Sequence, residues 1–175
     1  MAKTLYLLRH GKSSWGDSSL ADIDRPLNKR GRKASKRMGK ELVRRGWLPE
    51  LVLCSTATRT RETYQSLSKA MEKTAPGRAP EAALDERLYL AAVGTLLDRA
   101  QALDDRFASA LMLGHNPGLQ EFAVALASGG ETRDKIAAKF PTCALAVIEF
   151  DSDHWRDLAW SEGRLEAALY PRELE

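Results

Sequence analysis

The chain has 175 residues, 43% of them apolar and 29% charged, with a net charge of +3. That length fits a single domain over residues 1–175 with a core of its own, and so small a net charge does not by itself argue for nucleic-acid binding, so no nucleic-acid partner is expected. Two cysteines, Cys54 and Cys143, with no CxxC pair argue against a disulfide scaffold or a zinc ribbon.

The first predicted element is a buried strand over Leu5–Leu8, which runs into Arg9, His10 and Gly11. No apolar leader precedes it, so no signal peptide is expected. No apolar run nears the ~20 residues that span a bilayer. The expectation is a reduced, cytoplasmic compartment and no membrane partner. Residues Lys29 to Arg45 hold nine bases and one acid, Glu41. Gly31, Ala34, Ser35, Met38 and Leu42 form a narrow face there, which predicts a helix packed on a sheet with its basic side in solvent. The same basic side could instead dock an acidic partner or steer phosphorylated substrates.

Leu51–Cys54 reads as a second strand. Ala57, Thr60, Tyr64, Leu67 and Met71 follow it as a helical stripe. Ala75–Pro80 reads as a loop. Val93, Leu96, Leu97 and Ala100 predict a helix, Ala110–Leu113 a third strand, and Leu119, Phe122, Ala123 and Leu126 another helix. Ala144–Phe150 is the fourth strand. Asp151-Ser152-Asp153 reads as a turn into Trp155–Trp160, a hairpin that would add an antiparallel edge strand. Gly163–Glu175 is expected to be a loosely packed tail. Strands alternating with helices predict an α/β fold, a three-layer α/β/α sandwich around a mainly parallel sheet.

The chemistry gathers at strand ends, where open α/β sheets place their ligands. A neutral imidazole at His10 has a nucleophilic nitrogen that can take a phosphoryl group. Arg9 beside it offers a planar fork of donors suited to phosphate. Ser55–Thr63 opens a helix, and helix N-termini attract anions. Arg59 on the first turn would add a full charge, whereas Ser55 reads as an N-cap and Arg61 and Glu62 as surface residues. His115, in Gly114-His115-Asn116-Pro117-Gly118, follows another strand, with Asn116 placed to cap the next helix and Pro117 to begin it. The spacing of Cys54 to Arg59 is C-x4-R, one residue short of the C-x5-R loop that wraps a phosphate in cysteine phosphatases. Cys54 therefore reads as an inert buried residue. His154 reads as a surface residue, and three histidines without ligand spacing predict no metal site. Trp15, after His10, is placed to line a pocket mouth.

Taken together these motifs resemble the histidine phosphatase superfamily, the phosphoglycerate-mutase-like fold. Leu8-Arg9-His10-Gly11 matches its signature. Asp24-Arg25-Pro26-Leu27-Asn28-Lys29-Arg30-Gly31 is similar to its D-x-x-L-x-x-x-G segment. Ser55-x-Ala57-x-Arg59-Thr60-x-x-Thr63 is similar to its second-arginine segment, and Gly114-His115 to its second histidine. The small size, and Lys12-Ser13-Ser14-Trp15 after the signature, look most like the SixA-type phosphohistidine phosphatase branch. The resemblance implies His10 as nucleophile, with Arg9, Arg59 and His115 binding the phosphoryl group and no cofactor. Lys12, Ser13 and Asn116 are further candidate contacts. Larger members carry a general acid on a later loop, and Glu86 is the candidate here. The implied substrate is a phosphohistidine protein. The alternatives are a small phosphate ester as substrate, or a non-catalytic phosphate-binding module.

Overall fold

A computed structural model describes residues 2–174. Six strands form one sheet: β1 (Lys3–Arg9), β2 (Leu51–Cys54), β3 (Glu81–Leu84), β4 (Ser109–Gly114), β5 (Leu145–Phe150) and β6 (Arg164–Leu169). Five helices connect them: α1 (Lys29–Arg45), α2 (Thr58–Thr74), α3 (Val93–Gln101), α4 (Gly118–Leu126) and α5 (Glu131–Ala138). The strand order is β3-β2-β4-β1-β5-β6. β3, β2, β4 and β1 run parallel, and β5 and β6 are antiparallel to their neighbours.

Alternation along the strands divides the core into two faces. Tyr6, Leu8, Val52, Cys54, Leu111, Leu113, Leu145 and Val147 face Met38 and Leu42 of α1 and Leu67 and Met71 of α2. Leu5, Leu7, Leu53, Met112, Ala146 and Ile148 face α3, α4 and α5 through Leu96, Phe122 and Ile136. The result is the three-layer sandwich. No described helix is long and apolar enough to cross a membrane.

Four departures from the sequence reading have physical causes. The antiparallel edge strand is β6, not Trp155–Trp160, and it lies in the stretch read as a loose tail. Trp155 is instead sunk in the core within a short 3-10 turn, its indole N–H donating to the Phe107 carbonyl at 2.8 Å. β3 is a fully exposed edge strand, Glu-Ala-Ala-Leu, with no buried face to leave a pattern. α5 buries only Ile136, so its periodicity is faint. α4 begins at Gly118 with Pro117 in the cap position, and the Asn116 amide donates to the Phe140 carbonyl at 2.8 Å rather than capping the helix.

Candidate active site

The parallel pairing sets Arg9 against Gly114 and Cys54 against Leu113. His10, Ser55 and His115 therefore emerge together at the carboxyl ends of three adjacent strands. The rings of His10 and His115 lie 5.3 Å apart between centroids. Both are buried, at 7% and 4% exposure, as is Arg59 at 3%. Because β5 runs antiparallel beside β1, its beginning meets the same end of the sheet. Cys143 N–H donates to the His10 carbonyl at 2.8 Å, and the Phe140 carbonyl accepts from Arg9 Nη1 at 3.1 Å. A pocket of about 290 Å³ results, lined by Arg9, His10, Arg59, His115, Asn116 and Thr142, with Lys12, Ser13, Arg25, Trp15 and Leu90 toward its rim.

The loop after His10 is held by close backbone approach. A Cβ on Gly31 would lie 2.2 Å from the Lys12 carbonyl oxygen, and one on Gly11 would lie 2.8 Å from the Gly31 carbonyl oxygen. Only glycine lets the N-terminus of α1 seat against this loop. Asn28 caps α1 by accepting from Gly31 N–H at 2.9 Å, while its own N–H donates to the Lys12 carbonyl. The second-arginine segment also braces the loop. Gly11 N–H donates to Thr63 Oγ1 at 2.9 Å, and Thr60 Oγ1 donates to the Ser55 carbonyl at 2.8 Å. Glu62, expected at the surface, is half-buried and accepts from Leu27 N–H at 2.8 Å.

His10 Nδ1 lies 2.6 Å from the Gly11 carbonyl oxygen. A carbonyl only accepts, so Nδ1 carries the proton and Nε2 keeps a free lone pair. Burial, with the charges of Arg59, Arg9 and Arg25 added, pushes the His10 pKa down to about 4. Burial, then His10 and Arg59, push that of His115 down to about 3. Both rings are neutral at pH 7.

Ser55 does not take the N-cap position of α2, which falls to Ala57. Its hydroxyl is hydrogen-bonded to His115 Nε2 at 2.7 Å. Arg9 Nε, Arg59 Nε, His115 Nδ1 and Asn116 Oδ1 are buried with no hydrogen-bond partner among the described residues. Three of these four can donate, and all four belong to residues lining the pocket. Such a wall is suited to an anion with several acceptor oxygens.

One carboxylate serves this wall, and it escaped the sequence reading. Asp22 accepts from Arg59 Nη2 at 3.0 Å and from Arg25 Nε at 3.1 Å, and its backbone carbonyl accepts from Arg59 Nη1 at 2.7 Å. Tyr89 donates to the same carboxylate and packs edge-on against His115, 5.3 Å between centroids. The Tyr89 hydrogen bond first, then Arg59 and Arg25, hold the Asp22 pKa at about 2. Arg25 also donates to Ser13 Oγ at 2.7 Å and stacks under Trp15 at 3.6 Å. The structure thus gathers Arg9, His10, Arg59 and His115, with Lys12, Ser13 and Asn116 around them. It does not bring in Glu86, which is exposed at the start of a 3-10 turn and is absent from the pocket lining. Cys54 is buried beneath the site, its thiol pushed up to about 12 by burial.

Residues 5–105 match the family model of the histidine phosphatase superfamily (branch 1). The chain belongs to that superfamily. An uncharacterized protein of Mycobacterium tuberculosis is 37% identical over 86% of this chain and 91% of its own. Among solved structures, proteins provisionally assigned as the phosphohistidine phosphatase SixA are similar throughout. The one from Nakamurella multipartitia has a TM-score of 0.82 at 26% identity, covering 98% of this chain and 97% of its own. The one from Agrobacterium tumefaciens has a TM-score of 0.79 at 28% identity, covering 97% and 98%. The fold is the phosphoglycerate-mutase-like fold in its SixA-like form, and the family supports phosphatase activity.

Proposed function

We propose that this protein is a protein phosphohistidine phosphatase that works through a phosphorylated His10. The observation that carries the reading is the His10 ring. Its Nδ1 proton is given to the Gly11 carbonyl, so Nε2 is the nucleophile. In the first step the Nε2 lone pair attacks phosphorus. The P–N bond of the substrate breaks, and the departing imidazole nitrogen keeps the electron pair and takes a proton from solvent. In the second step water attacks phospho-His10, the P–Nε2 bond breaks, a proton leaves to solvent, and orthophosphate departs. Arg9, Arg59 and His115 bind the phosphoryl oxygens in both transition states, where positioned donors do most of the catalysis. Lys12, Ser13 and Asn116 are outer contacts.

The preference for a P–N bond rests on the missing acid. An alkoxide leaving group gains ~10²–10⁴-fold from a positioned proton donor. Among the described residues the pocket lining holds no carboxylic acid, and Asp22 behind it is ionised and committed to two arginines. A phosphohistidine nitrogen leaves without such help.

The test is phosphate release from a phosphohistidine protein and from a panel of phosphate monoesters, with wild type and His10→Ala in parallel. Phosphohistidine turnover that falls at least ~10³-fold in His10→Ala is expected, since the covalent route disappears. Comparable turnover of simple esters would move the substrate to small molecules. Binding without release would leave a phosphate-binding module. Activity that survives His10→Ala would overturn the mechanism.

A further inference from the structure

A second cavity, of about 400 Å³, opens beside the catalytic pocket and shares Lys12 and Thr142 with it. Among the described residues its walls carry Lys12, Arg30, Lys33, Arg37, Lys139 and Arg172 and no acidic residue. None of these six side chains has a hydrogen bond or ion pair among the described residues. Elsewhere on α1 the arginines find partners, as Arg44 and Arg45 do on Glu41. The catalytic mechanism makes no use of five of the six cations.

The charge also has a direction. Arg30, Lys33, Arg37, Lys40 and Arg44 recur at steps of three and four, one stripe along α1. At 1.5 Å per residue its unpaired part, from Arg30 to Lys40, is about 15 Å long, Arg44 being held by Glu41. It starts in this second cavity and continues past Arg37 to Lys40, at the edge of a further groove where Glu41 pairs with Arg44 and Arg45 and Glu173 with Lys135. Apolar Pro141, Tyr170 and Pro171 form part of the cavity wall.

We propose that this groove docks an acidic segment of the phosphohistidine-bearing protein, with carboxylates lying near the phosphohistidine. The inference rests on the phosphohistidine reading and names the kind of partner it requires. Charge complementarity selects an acidic occupant. Length selects a protein over a small ester, because no single small phosphate reaches from His10 along a stripe of about 15 Å. The net charge of only +3 disfavours a nucleic acid, which would be met by a broad and strongly basic face.

Three substrates separate the possibilities: free phosphohistidine, a phosphohistidine peptide flanked by Asp and Glu, and the same peptide with neutral flanks. Each is assayed with wild type, Lys33→Glu, and Lys33→Glu/Arg37→Glu. Wild type is expected to prefer the acidic peptide. The double variant is expected to raise KM for it ~10-fold at unchanged kcat, and the single variant ~3-fold, as for charges at an interface rim. Free phosphohistidine and the neutral peptide are expected to stay within ~2-fold, which also reports that the variants fold. Equal turnover of acidic and neutral peptides by wild type, or equal losses on both in the variants, overturns the proposal. If wild type hydrolyses no phosphohistidine compound, the functional reading fails, and anisotropy of the labelled unphosphorylated acidic peptide decides the groove. Binding weakened at least ~5-fold in the double variant sustains it, and absent binding overturns it. Duplex DNA of matched charge bound as tightly as the acidic peptide also overturns it.

Discussion

The catalytic pocket and the groove beside it are both built from cations, yet they hold them in opposite ways. Arg9, Arg25 and Arg59 are pinned: to the Phe140 carbonyl, to Ser13, and to Asp22. Arg30, Lys33 and Lys139 are exposed and unpaired among the described residues. A pinned charge loses little entropy when a transition state forms, so it contributes to kcat. A free charge is screened by salt and must be ordered on contact, so it contributes to encounter and KM. Under the proposed function the difference separates the chemistry of the reaction from recognition of its substrate.

Arg59 offers the sharpest way to break that division. Arg59→Ala is expected to lower kcat by ~10²–10³-fold on every substrate, large or small, as when one preorganised donor is removed. Arg59→Lys keeps the charge but not the fork, and is expected to recover only part of the loss. A steady-state assay of kcat on free phosphohistidine checks both. A loss confined to KM would place Arg59 with the groove residues and erase the distinction.

Burial first, and the pinned cations after it, set the protonation of the histidines. His10 and His115 have pKa values pushed down to about 4 and about 3, so both stay neutral well below the ordinary value near 6.5. In the proposed mechanism neutral His10 is the reactive form. Its fraction therefore stays nearly constant from pH 8 to 5.5, and the histidine acid limb of kcat/KM moves toward pH 4. NMR of the ring nitrogens in the free protein is expected to show no titration of either ring in that window. A ring that titrates near 6.5 would mean that burial and the arginines act weakly. The same shifts destabilise the fold in acid. Between about 6.5 and the depressed values the unfolded chain binds more protons, so stability falls as pH falls through that range.

How much of this was legible before the fold was known follows the same local logic. Arg9, His10 and His115 sit at the ends of apolar runs, and Arg59 sits on the first turn of the helix after β2. Strand and helix signals therefore located them without any tertiary contact. Ser55, Asp22 and Tyr89 carry no such marker. Ser55 reaches His115 only because β2 and β4 are neighbours, and Asp22 meets Arg59 from a loop 37 residues away in sequence. Glu62 looked like a surface residue because a charged side chain on a helix usually is one, yet it holds the Leu27 amide. The basic stripe on α1 was visible as a pattern. Its continuity with the pocket through Lys12 was not, since that depends on Gly31 packing against the Lys12 backbone. The edges of the sheet were read least well. β3 is exposed on every residue, and β6 follows a tryptophan segment that imitated a strand.

The smallest expected effect belongs to a charge in neither region. Glu86 is exposed on the turn leading to Tyr89, while its neighbour Asp85 is the one engaged, accepting from Arg99 at 2.7 Å. Glu86→Gln is expected to change kcat on a phosphohistidine substrate by less than ~2-fold, whereas loss of a general acid would cost ~10²–10⁴-fold on an ester. The informative measurement is the ratio of the two turnovers in wild type and variant. An unchanged ratio means that no proton donor of this kind operates, in keeping with a nitrogen leaving group. A ratio that rises because ester turnover alone collapses would mean that the Glu86 turn closes over the pocket during catalysis and that the chain is equipped for alkoxide departure. The pinned arginines would then serve a site that also recruits a mobile acid.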